Sequence, residues 1–327
     1  MSTLRVDNIR HNSATSDAIT MVSDGTCTAK LTNYPHRNLF LNGAVNISQR
    51  GDSYASAYTY KADQWYIFPT GSTTTRLTTS PPDGFTYYFR CPSATASIIF
   101  SQQIELEAQG KVGRYKGKTV TVSWYARTES SNTMYVDAAF KNNSGGGDYT
   151  SIVSGSGSPQ SLTSSWARYS QTFTISATPN SNNQCFSVMI RTPSGQGGTV
   201  EATGFQCEFG DTMTDFEHIA ISEDLSRCQR YYQKIDYYCQ TGNSGHRHMY
   251  GENIPFKCEM RAAPSLVANS NYNSDSGSLQ IISAGDYSTY VDGCSLQYAS
   301  TSQVTVQGGN SSQYHRIRGR VHLSAEI

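Results

Sequence analysis

The chain has 327 residues, with 25 basic and 25 acidic side chains and a formal net charge of zero. This balance argues against a general nucleic-acid-binding protein, which would carry a basic excess. Charged residues make up only 15% of the chain and hydrophobic residues 37%, whereas Gly (27 residues) and Tyr (22 residues) are frequent. Such a composition favours strands and turns over helices, so we predict an all-β protein.

The first segment, residues 1–37, has too few apolar residues for a core of its own. Short strands are predicted around Leu4 and around Ile19, with a turn at 24–25. Copies of the segment could bury these strands by wrapping around each other, or the segment could be a loosely ordered arm, and both interpretations stay open. Its opening lacks the apolar run of a signal peptide, and no stretch of the chain has the roughly 20 apolar residues of a membrane span. We therefore expect a soluble protein without membrane insertion.

Residues 38–217 predict one β-sandwich. Three segments alternate between apolar and polar residues with a period of two, at 120–127, 169–176 and 186–191. This period places one face of each strand in a core and the other in water. Gly- and Ser-rich segments between them predict turns, and the combination is typical of a two-sheet sandwich of jelly-roll type.

A single helix is predicted around 222–234, with Ser222 as its N-cap and with Cys228 on its apolar stripe. It lies within a connecting segment, 218–236. Residues 237–327 return to strand patterns and predict a small C-terminal β domain, whose last strand reaches the end of the chain.

Eight cysteines are widely spaced, without a C-x-x-C pair or the spacing of a zinc site. Because no export signal is evident, we interpret them as reduced and mostly buried side chains, although structural disulfides remain the alternative.

Four segments carry specific patterns: the opening STLRVDNIR, the run NLFLNGAVNISQRG at 38–51 with ADQWYI at 62–67, the stretch GFQCEFGDTMTDFEHIAISEDLSRCQRYYQ at 204–233, and the terminal HLSAEI. Together they resemble phage tail-fibre and related virion structural proteins of the marine-phage type, which carry a carbohydrate-binding-module-like jelly roll. The chain departs from this pattern at Gln64, where the family usually has Arg between Asp and Trp.

The resemblance implies a non-catalytic virion component, made in the host cytoplasm and located on a tail or other exterior appendage. It implies a homotrimer that displays its β domains for host recognition, with residues 1–37 as the virion-attachment arm. The implied partners are other tail proteins, contacted through the arm, and host surface polysaccharide or lipopolysaccharide.

Candidates for a glycan platform are four aromatic residues: Trp65, Tyr66, Tyr87 and Tyr88. Aromatic faces stack on the apolar faces of sugar rings, and neighbouring polar side chains can bind the hydroxyl groups. The alternative, which we favour for Trp65, is a core anchor, since large aromatic residues are commonly buried. Trp124 and Trp166 lie in strand-like contexts and are also expected in the core.

His246 and His248 are candidates for a metal site, because they would project to the same side of a strand. In a parallel trimer they would place six imidazoles around an axis, which suits an octahedral transition metal, as in some long tail fibres. The alternative, which we favour, is a polar loop, because residues 242–245 read Gly-Asn-Ser-Gly. No other cofactor is expected.

Receptor contacts are predicted between residues 237 and 314, where Tyr, Ser, Asn and Gly supply adaptable contacts at low entropic cost. The candidates are Tyr250, Tyr287 and Tyr290, together with the basic strand face of Arg316, Arg318 and Arg320. This face could bind acidic surface sugars, or it could be an ordinary solvated face.

No sequence motif indicates catalysis. Glu105 and Glu107 could form a carboxylate pair, but a solvated strand face is the better interpretation because glycosidases need two carboxyl groups across a cleft. We therefore predict a host-attachment subunit and not an enzyme. A structural adaptor of the virion and a polysaccharide depolymerase remain the alternatives.

Overall fold

The structure is a computed structural model of the chain. It describes residues 6–13, 17–21, 23, 25, 27–29, 35–54, 59–68, 73–93, 97–106, 115–142, 149–180, 183–241, 252–262, 264–274, 280–281, 294–298, 303–308 and 315–326. In these ranges the regular structure is nearly all β, as the composition predicts.

The strands follow each other along the chain in three groups. The first group is β1 (Asn8–Ile9), β2 (Ile19–Met21) and β3 (Cys27–Ala29). The second is β4 (Ser53–Tyr54), β5 (Thr59–Tyr60), β6 (Tyr66–Phe68), β7 (Thr74–Leu77), β8 (Tyr88–Ser93), β9 (Ile99–Glu105), β10 (Thr119–Thr128), β11 (Thr133–Lys141), β12 (Tyr149–Ser154), a 3-10 turn (Gly155–Gly157), β13 (Gln160–Ser161), β14 (Ala167–Thr174), β15 (Cys185–Arg191) and β16 (Gly198–Phe209). Helix α1 (Ile221–Gln229) precedes the third group: β17 (Tyr232–Thr241), β18 (Glu252–Pro255), β19 (Ser265–Ser274), β20 (Gln280–Ile281), β21 (Cys294–Tyr298), β22 (Gln303–Gly308) and β23 (His315–Ser324).

The second group forms the predicted β-sandwich of two antiparallel sheets. One is a six-stranded sheet in the order β14-β10-β16-β8-β7-β4. The other is a seven-stranded sheet in the order β12-β11-β15-β9-β6-β5, with β13 paired to β11. Apolar side chains of both sheets meet in a single hydrophobic core.

The alternation in the sequence correctly predicts the core side of the strands. Every apolar residue predicted to face inward in β10 and β15 is buried: Val120, Val122, Trp124, Ala126, Phe186, Val188 and Ile190. The opposite faces are less exposed than the alternation predicts, because Thr121, Ser123 and Ser187 are at most 1% exposed. In β10 the reason is coverage by neighbouring side chains, since Arg168 donates a hydrogen bond to the Ser123 hydroxyl (3.1 Å).

A glycine produces an irregularity in strand β16 of the six-stranded sheet. The pairing of β10 with β16 shifts register between Ser123 and Tyr125, and Gly204 opposite them has a φ of 61°. A Cβ atom on Gly204 would lie 2.7 Å from the ring of Phe85 and 2.8 Å from that of Tyr125. Only glycine adopts this conformation at such a close approach without strain.

Helix α1 is shorter than predicted and begins differently. Its N-cap is Ala220, which makes no side-chain capping bond, so the assignment of Ser222 as the cap is wrong. The helix ends at Gln229, and Tyr232 already belongs to strand β17, which pairs with β23 over ten residue pairs. The long strand pairing therefore competes successfully with continuation of the helix. Cys228 is buried, as the apolar stripe predicts.

The C-terminal part is a separate set of β-sheets, as predicted. One is three-stranded with the order β17-β23-β19, and the other is four-stranded with the order β18-β22-β21-β20. The last strand predicted from the sequence is β23, which lies in the centre of its sheet.

The N-terminal strands form a three-stranded sheet in the order β1-β2-β3. Strands β2 and β3 form a hairpin around Gly25 (φ 89°), which confirms the predicted turn. Residues Ile9 and Ile19 are paired, so the alternation along β2 places Ile9, Ile19 and Met21 on one face. Ile9 (47%) and Met21 (41%) are exposed on it.

Six of the cysteines have described side chains, and all six are free: Cys27, Cys91, Cys185, Cys207, Cys228 and Cys258. Four of them are buried, whereas Cys27 is exposed and Cys258 is half-buried. In the described part of the chain, no helix has the length and apolar character that crossing a membrane would require.

Candidate functional site

Trp65 lies in the core, as the alternative interpretation expected. Its side chain is 0% exposed, and its ring packs against Phe40 (centroid distance 5.3 Å) and Phe205 (4.4 Å). Its indole N–H donates a hydrogen bond to the carbonyl oxygen of Asn42 (2.9 Å). The indole therefore offers no free face to a sugar.

The other three predicted aromatic residues do not form one platform. Tyr66 lies half-buried on the outer face of the seven-stranded sheet, with its ring edge-on to Tyr60 (centroid distance 5.8 Å). Tyr88 lies on the outer face of the six-stranded sheet and is only 2% exposed. Tyr87 packs against the core, and the Arg76 guanidinium covers its ring at 3.7 Å. Tyr66 and Tyr88 are thus on opposite sides of the sandwich.

Three of the segments that resemble virion proteins meet in a buried polar network. The side-chain amide of Asn42 donates to the carbonyl oxygen of Asp63 (3.0 Å), and the Asn42 backbone N–H donates to the Asp224 carboxylate (2.9 Å). Gln49 connects the Asp63 carboxylate (2.6 Å) to the carbonyl oxygen of Tyr232 (2.8 Å). We call this network, with Arg50 and Glu326, the joint, because it links the sandwich to α1, β17 and the chain end.

The chain end is held in the joint by two hydrogen-bonded ionisable side chains, Arg50 and Glu326. The Arg50 guanidinium donates to the Glu326 carboxylate (2.7 Å) and lies 3.6 Å from the ring centroid of Tyr232. Burial raises the pKa of the Glu326 carboxyl to about 8, although Arg50 acts in the opposite direction. Burial likewise raises the pKa of Asp63. The motif residues of the joint therefore serve as a structural connection.

Trp166 is the tryptophan that the fold leaves partly exposed, so the prediction that it lies in the core is wrong. Its indole N–H donates to the carbonyl oxygen of Ser80 (2.9 Å). Its ring meets that of Tyr88 at a centroid distance of 5.3 Å and an angle of 76°. Tyr88 therefore supports the position of Trp166 and does not itself face solvent.

A cavity of about 260 Å³ lies on the outer side of the six-stranded sheet, and its lining residue Arg127 contacts Trp166. It is lined by Arg90, Arg127, Thr128, Glu129, Ser164, Thr199 and Glu201. The Arg127 guanidinium lies over the indole of Trp166, 4.8 Å from the ring centroid. We call Trp166 and this cavity the Trp166 site.

Glu201 organises the charged groups of the Trp166 site. Its side chain is 6% exposed and accepts hydrogen bonds from Arg90 (2.8 Å) and from Arg127. The hydrogen bond to Glu201 raises the pKa of Arg90. Glu129 is 70% exposed and lies 3.5 Å from Arg90. Two fixed guanidinium groups thus keep further N–H donors available at the cavity.

The chemistry of the Trp166 site suits a polyhydroxylated ligand. The partly exposed indole offers an apolar surface, and Arg, Glu, Ser and Thr side chains offer donors and acceptors beside it. Its two arginines are balanced by two glutamates, so the site is formally neutral and fits an uncharged sugar better than an acidic one.

Of the predicted carboxylate pair, Glu105 has structural partners. Glu105 accepts hydrogen bonds from Arg230 (3.3 Å) and from the Tyr231 hydroxyl (3.2 Å). Glu107 lies outside the described residues.

Outside the described part of the chain lie His246, His248, Tyr250, Tyr287 and Tyr290. The predicted basic face lies on β23 and consists of Arg316, Arg318 and Arg320. Their side chains are not among those that the structure describes. The metal site and the receptor contacts stay predictions. Among the described residues, no group of three or more His, Cys, Asp or Glu could hold a metal ion.

No protein-family model matches the chain. A search of curated proteins likewise finds no match. The chain is similar to carbohydrate-binding modules.

Two of these structures are family 22 modules. The CBM22-1 xylan-binding domain of Paenibacillus barcinonensis Xyn10C has 10% sequence identity and a TM-score of 0.35, over 57% of this chain and 100% of that one. The C-terminal family 22 module of Clostridium thermocellum Xyn10B has 15% identity and a TM-score of 0.34, over 52% and 100%. A third structure is the enzymatically active domain of tailspike protein 4 of bacteriophage CBA120, with 16% identity and a TM-score of 0.34, over 54% of this chain and 22% of that one. Similarities this distant assign neither a family nor a ligand.

The sequence did contain a signal for the Trp166 site. In β14 the outward positions are Arg168, Ser170 and Thr172, which pair with outward residues of β10. Extending this alternation back by two residues places Trp166 on the same polar face. A tryptophan on the polar face of a strand indicates a binding surface more readily than a core position.

Proposed function

We propose that this chain is a glycan-binding subunit of a bacterial virus, carried on a tail fibre or another host-attachment appendage. The observation that carries the binding function is the Trp166 site, where a partly exposed indole adjoins a cavity lined by two arginines, two glutamates and three hydroxyl side chains. Sugar sites combine an aromatic surface with a few oriented polar groups in this way.

In this proposal the sugar ring stacks on Trp166 while its hydroxyl groups bond to Arg90, Arg127 and the neighbouring hydroxyl side chains. A shallow site of this kind binds one sugar weakly, because stacking and a few exposed hydrogen bonds contribute only about 1 kcal/mol each. Several linked copies would increase the apparent affinity for a surface by avidity.

The test is binding of the purified full chain to an array of neutral bacterial oligosaccharides and host lipopolysaccharides. Trp166→Ala should weaken binding about tenfold or more, since it removes the stacking surface. Tyr149→Ala is the matched control, because Tyr149 is an exposed aromatic residue (56%) on the other sheet. Absence of any saturable glycan binding, or equal losses in both variants, would refute the glycan function.

The virion role and the homotrimer rest on the resemblance of the sequence and on the N-terminal sheet. Exposed Ile9 and Met21 lie on one face of β1 and β2, and copies of this sheet could bury that face against each other. Light scattering should give the mass of three chains, and Ile9→Asp with Met21→Asp should reduce it to one. A map of the intact particle would show whether the subunit occupies an outward appendage.

If the chain is a structural adaptor without receptor binding, the particle should assemble normally, and the purified chain should bind no oligosaccharide on the array. A depolymerase would release reducing ends from host polysaccharide. The geometry favours binding over catalysis at the Trp166 site, because both carboxylate oxygens of Glu201 accept hydrogen bonds from arginines and neither is free to transfer a proton to a substrate.

A further inference from the structure

Another cavity, of about 370 Å³, lies between helix α1 and strand β9 of the seven-stranded sheet. Arg227 and Arg230 line its helix side, and Gln103 and Glu105 line its sheet side. Gln64 lies at its border, in a left-handed backbone conformation (φ 70°). We call this cavity the α1 cleft. None of these residues lines the cavity of the Trp166 site, so the two cavities are separate places for a ligand.

Two hydrogen-bond donors of the α1 cleft have no acceptor. The Nε2 atom of Gln64 and the Nη1 atom of Arg227 are buried and make no hydrogen bond. Gln64 as a whole is only 4% exposed. Buried polar groups in native proteins are nearly always paired, and an exception calls for an explanation such as strain, a functional role or a bound water or ion. Both residues line the cleft, and rotation of their side chains would present these two donors to an acceptor bound there.

The charges of the α1 cleft do not balance. Glu105 is already bonded to Arg230 (3.3 Å) and to the Tyr231 hydroxyl (3.2 Å). Asp224, on the same helix as Arg227, has its carboxylate against the backbone N–H of Asn42 (2.9 Å). Within the described residues no carboxylate lies at salt-bridge distance from Arg227. Among the side chains that line the cleft, two arginines therefore face one glutamate, and the nearest further acid to act on Arg227 is Asp224 on the same helix.

We propose that the α1 cleft binds the carboxylate of a ligand through Arg227 and Gln64, and that this ligand is the terminal uronic acid of an acidic glycan. A guanidinium and an amide N–H match the two oxygens of a carboxylate. Gln103 and the Tyr231 hydroxyl can serve sugar hydroxyl groups, and the apolar parts of the lining suit a carbon skeleton. The inference that the cleft binds a carboxylate depends only on the geometry of the cleft. The inference that this carboxylate belongs to a sugar acid also rests on the proposed glycan function.

The α1 cleft differs from the Trp166 site in its charge. The Trp166 site pairs two arginines with two glutamates, whereas the cleft has two arginines and one glutamate. The two sites should therefore select different sugars from one polysaccharide, neutral residues at one and an acidic end at the other.

The experiment titrates the full chain, at constant ionic strength, with sodium glucuronate, with a glucuronate-ended oligosaccharide and with glucose. Calorimetry of the Trp166→Ala variant, which lacks the stacking surface for neutral sugars, should show saturable binding of both acids and none of glucose. Tighter binding of the oligosaccharide supports a glycan end, whereas equal affinity for free glucuronate would overturn that assignment in favour of a small organic acid. No saturable binding of either acid would overturn the cleft as a carboxylate site.

Variants at Arg227 and at two control positions distinguish a loss of glucuronate binding from a loss of folding. Arg227→Gln should lower the affinity for glucuronate about tenfold or more, and Arg227→Lys should lie between this variant and the parent, since it keeps the charge but loses the planar fork. Ser226→Ala, an exposed position on the same helix, should leave the affinity unchanged, as should Trp166→Ala. Unchanged glucuronate affinity in both Arg227 variants, with normal thermal unfolding, would overturn the proposal. Loss of array binding in Trp166→Ala with intact glucuronate binding would show that the two sites are independent.

Discussion

The sandwich core and the joint are both buried, but they are built from opposite chemistry. In the core, the rings of Phe89, Phe100 and Phe205 lie with centroids 5.3–6.4 Å apart among aliphatic side chains. In the joint, hydrogen bonds and charges link Asn42 and Asp63 with residues near the chain end. Apolar packing tolerates changes that keep volume, whereas a buried polar network fails when any one partner is removed.

The core and the joint therefore make different contributions to the fold. The core stabilises the sandwich through the apolar area that its residues withdraw from water. The joint selects one arrangement of the segments that follow the sandwich, because only that arrangement pairs its buried polar groups. Three changes, one in the core and two in the joint, test this division.

The largest loss of stability is expected in the core. Phe205→Ala should lower the free energy of unfolding by about 3–5 kcal/mol, because a large cavity would remain among Trp65, Phe89 and Phe100. Phe205→Leu, which keeps most of the volume, should cost about 1.5 kcal/mol. Denaturant unfolding measures both values. A loss for Phe205→Ala as small as that for Phe205→Leu would show that the core does not depend on close packing.

A smaller loss is expected in the joint. Asn42→Ala should lower the free energy of unfolding by about 2–4 kcal/mol, since it leaves the carbonyl oxygens of Ile47 and Asp63 without their donor. It also places alanine at a φ of 53°, a conformation that asparagine adopts more easily. Asn46→Ala, at a half-buried neighbouring position, is the control and should cost less than about 0.5 kcal/mol. Similar losses in the two variants would remove the distinction between joint and surface.

The smallest effect is a dependence of stability on pH. Because the folded state raises the pKa of Glu326 to about 8, it holds a proton that the unfolded chain releases near its ordinary pKa. The stability contributed by the protonated carboxyl is complete below that ordinary value and is lost as the pH rises towards 8. Asp63 shifts in the same direction and adds to the effect.

Glu326→Gln removes this titration while keeping an acceptor for Arg50. The free energy of unfolding of the parent should fall, relative to this variant, on the order of 2 kcal/mol between pH 5 and pH 8. Paired denaturant titrations at the two pH values measure the difference. If the free energies of unfolding of the parent and the variant change with pH in parallel, then Glu326 is hydrated and the joint is open to solvent at the chain end.

The strands of the sandwich could be predicted because their pattern is local. Alternation in 120–127 and 186–191 identifies β10 and β15 and the sides that face the core, since successive side chains of a strand point to opposite faces. The helix was predicted in place but not in length, because the pairing of β17 with β23 is a distant contact that ends it. The burial of Ser123 and Ser187 was missed because coverage of an outer face also depends on distant side chains.

The candidate sites could likewise be predicted only as far as local patterns in the sequence allow. The alternation in β14 extends to Trp166 and would have placed it on the outer face, but the cavity beside it needs Arg90, Glu129 and Glu201 from separate parts of the chain. Trp65 was correctly favoured as a core residue from its size and type alone. Tyr66 and Tyr88 were grouped by neighbourhood in sequence, and the two sheets of the sandwich separate them.

The sequence by itself determined that this protein is built of strands and which of their faces are apolar, because these properties depend on residues a few positions apart. Only the tertiary structure decided what the motif residues do and where ligands could bind. Asn42 meets Asp224 across 182 positions and Arg50 meets Glu326 across 276. Hydrogen bonds and charges act over a few ångströms in space, so groups so far apart in the chain interact only after folding has brought them together.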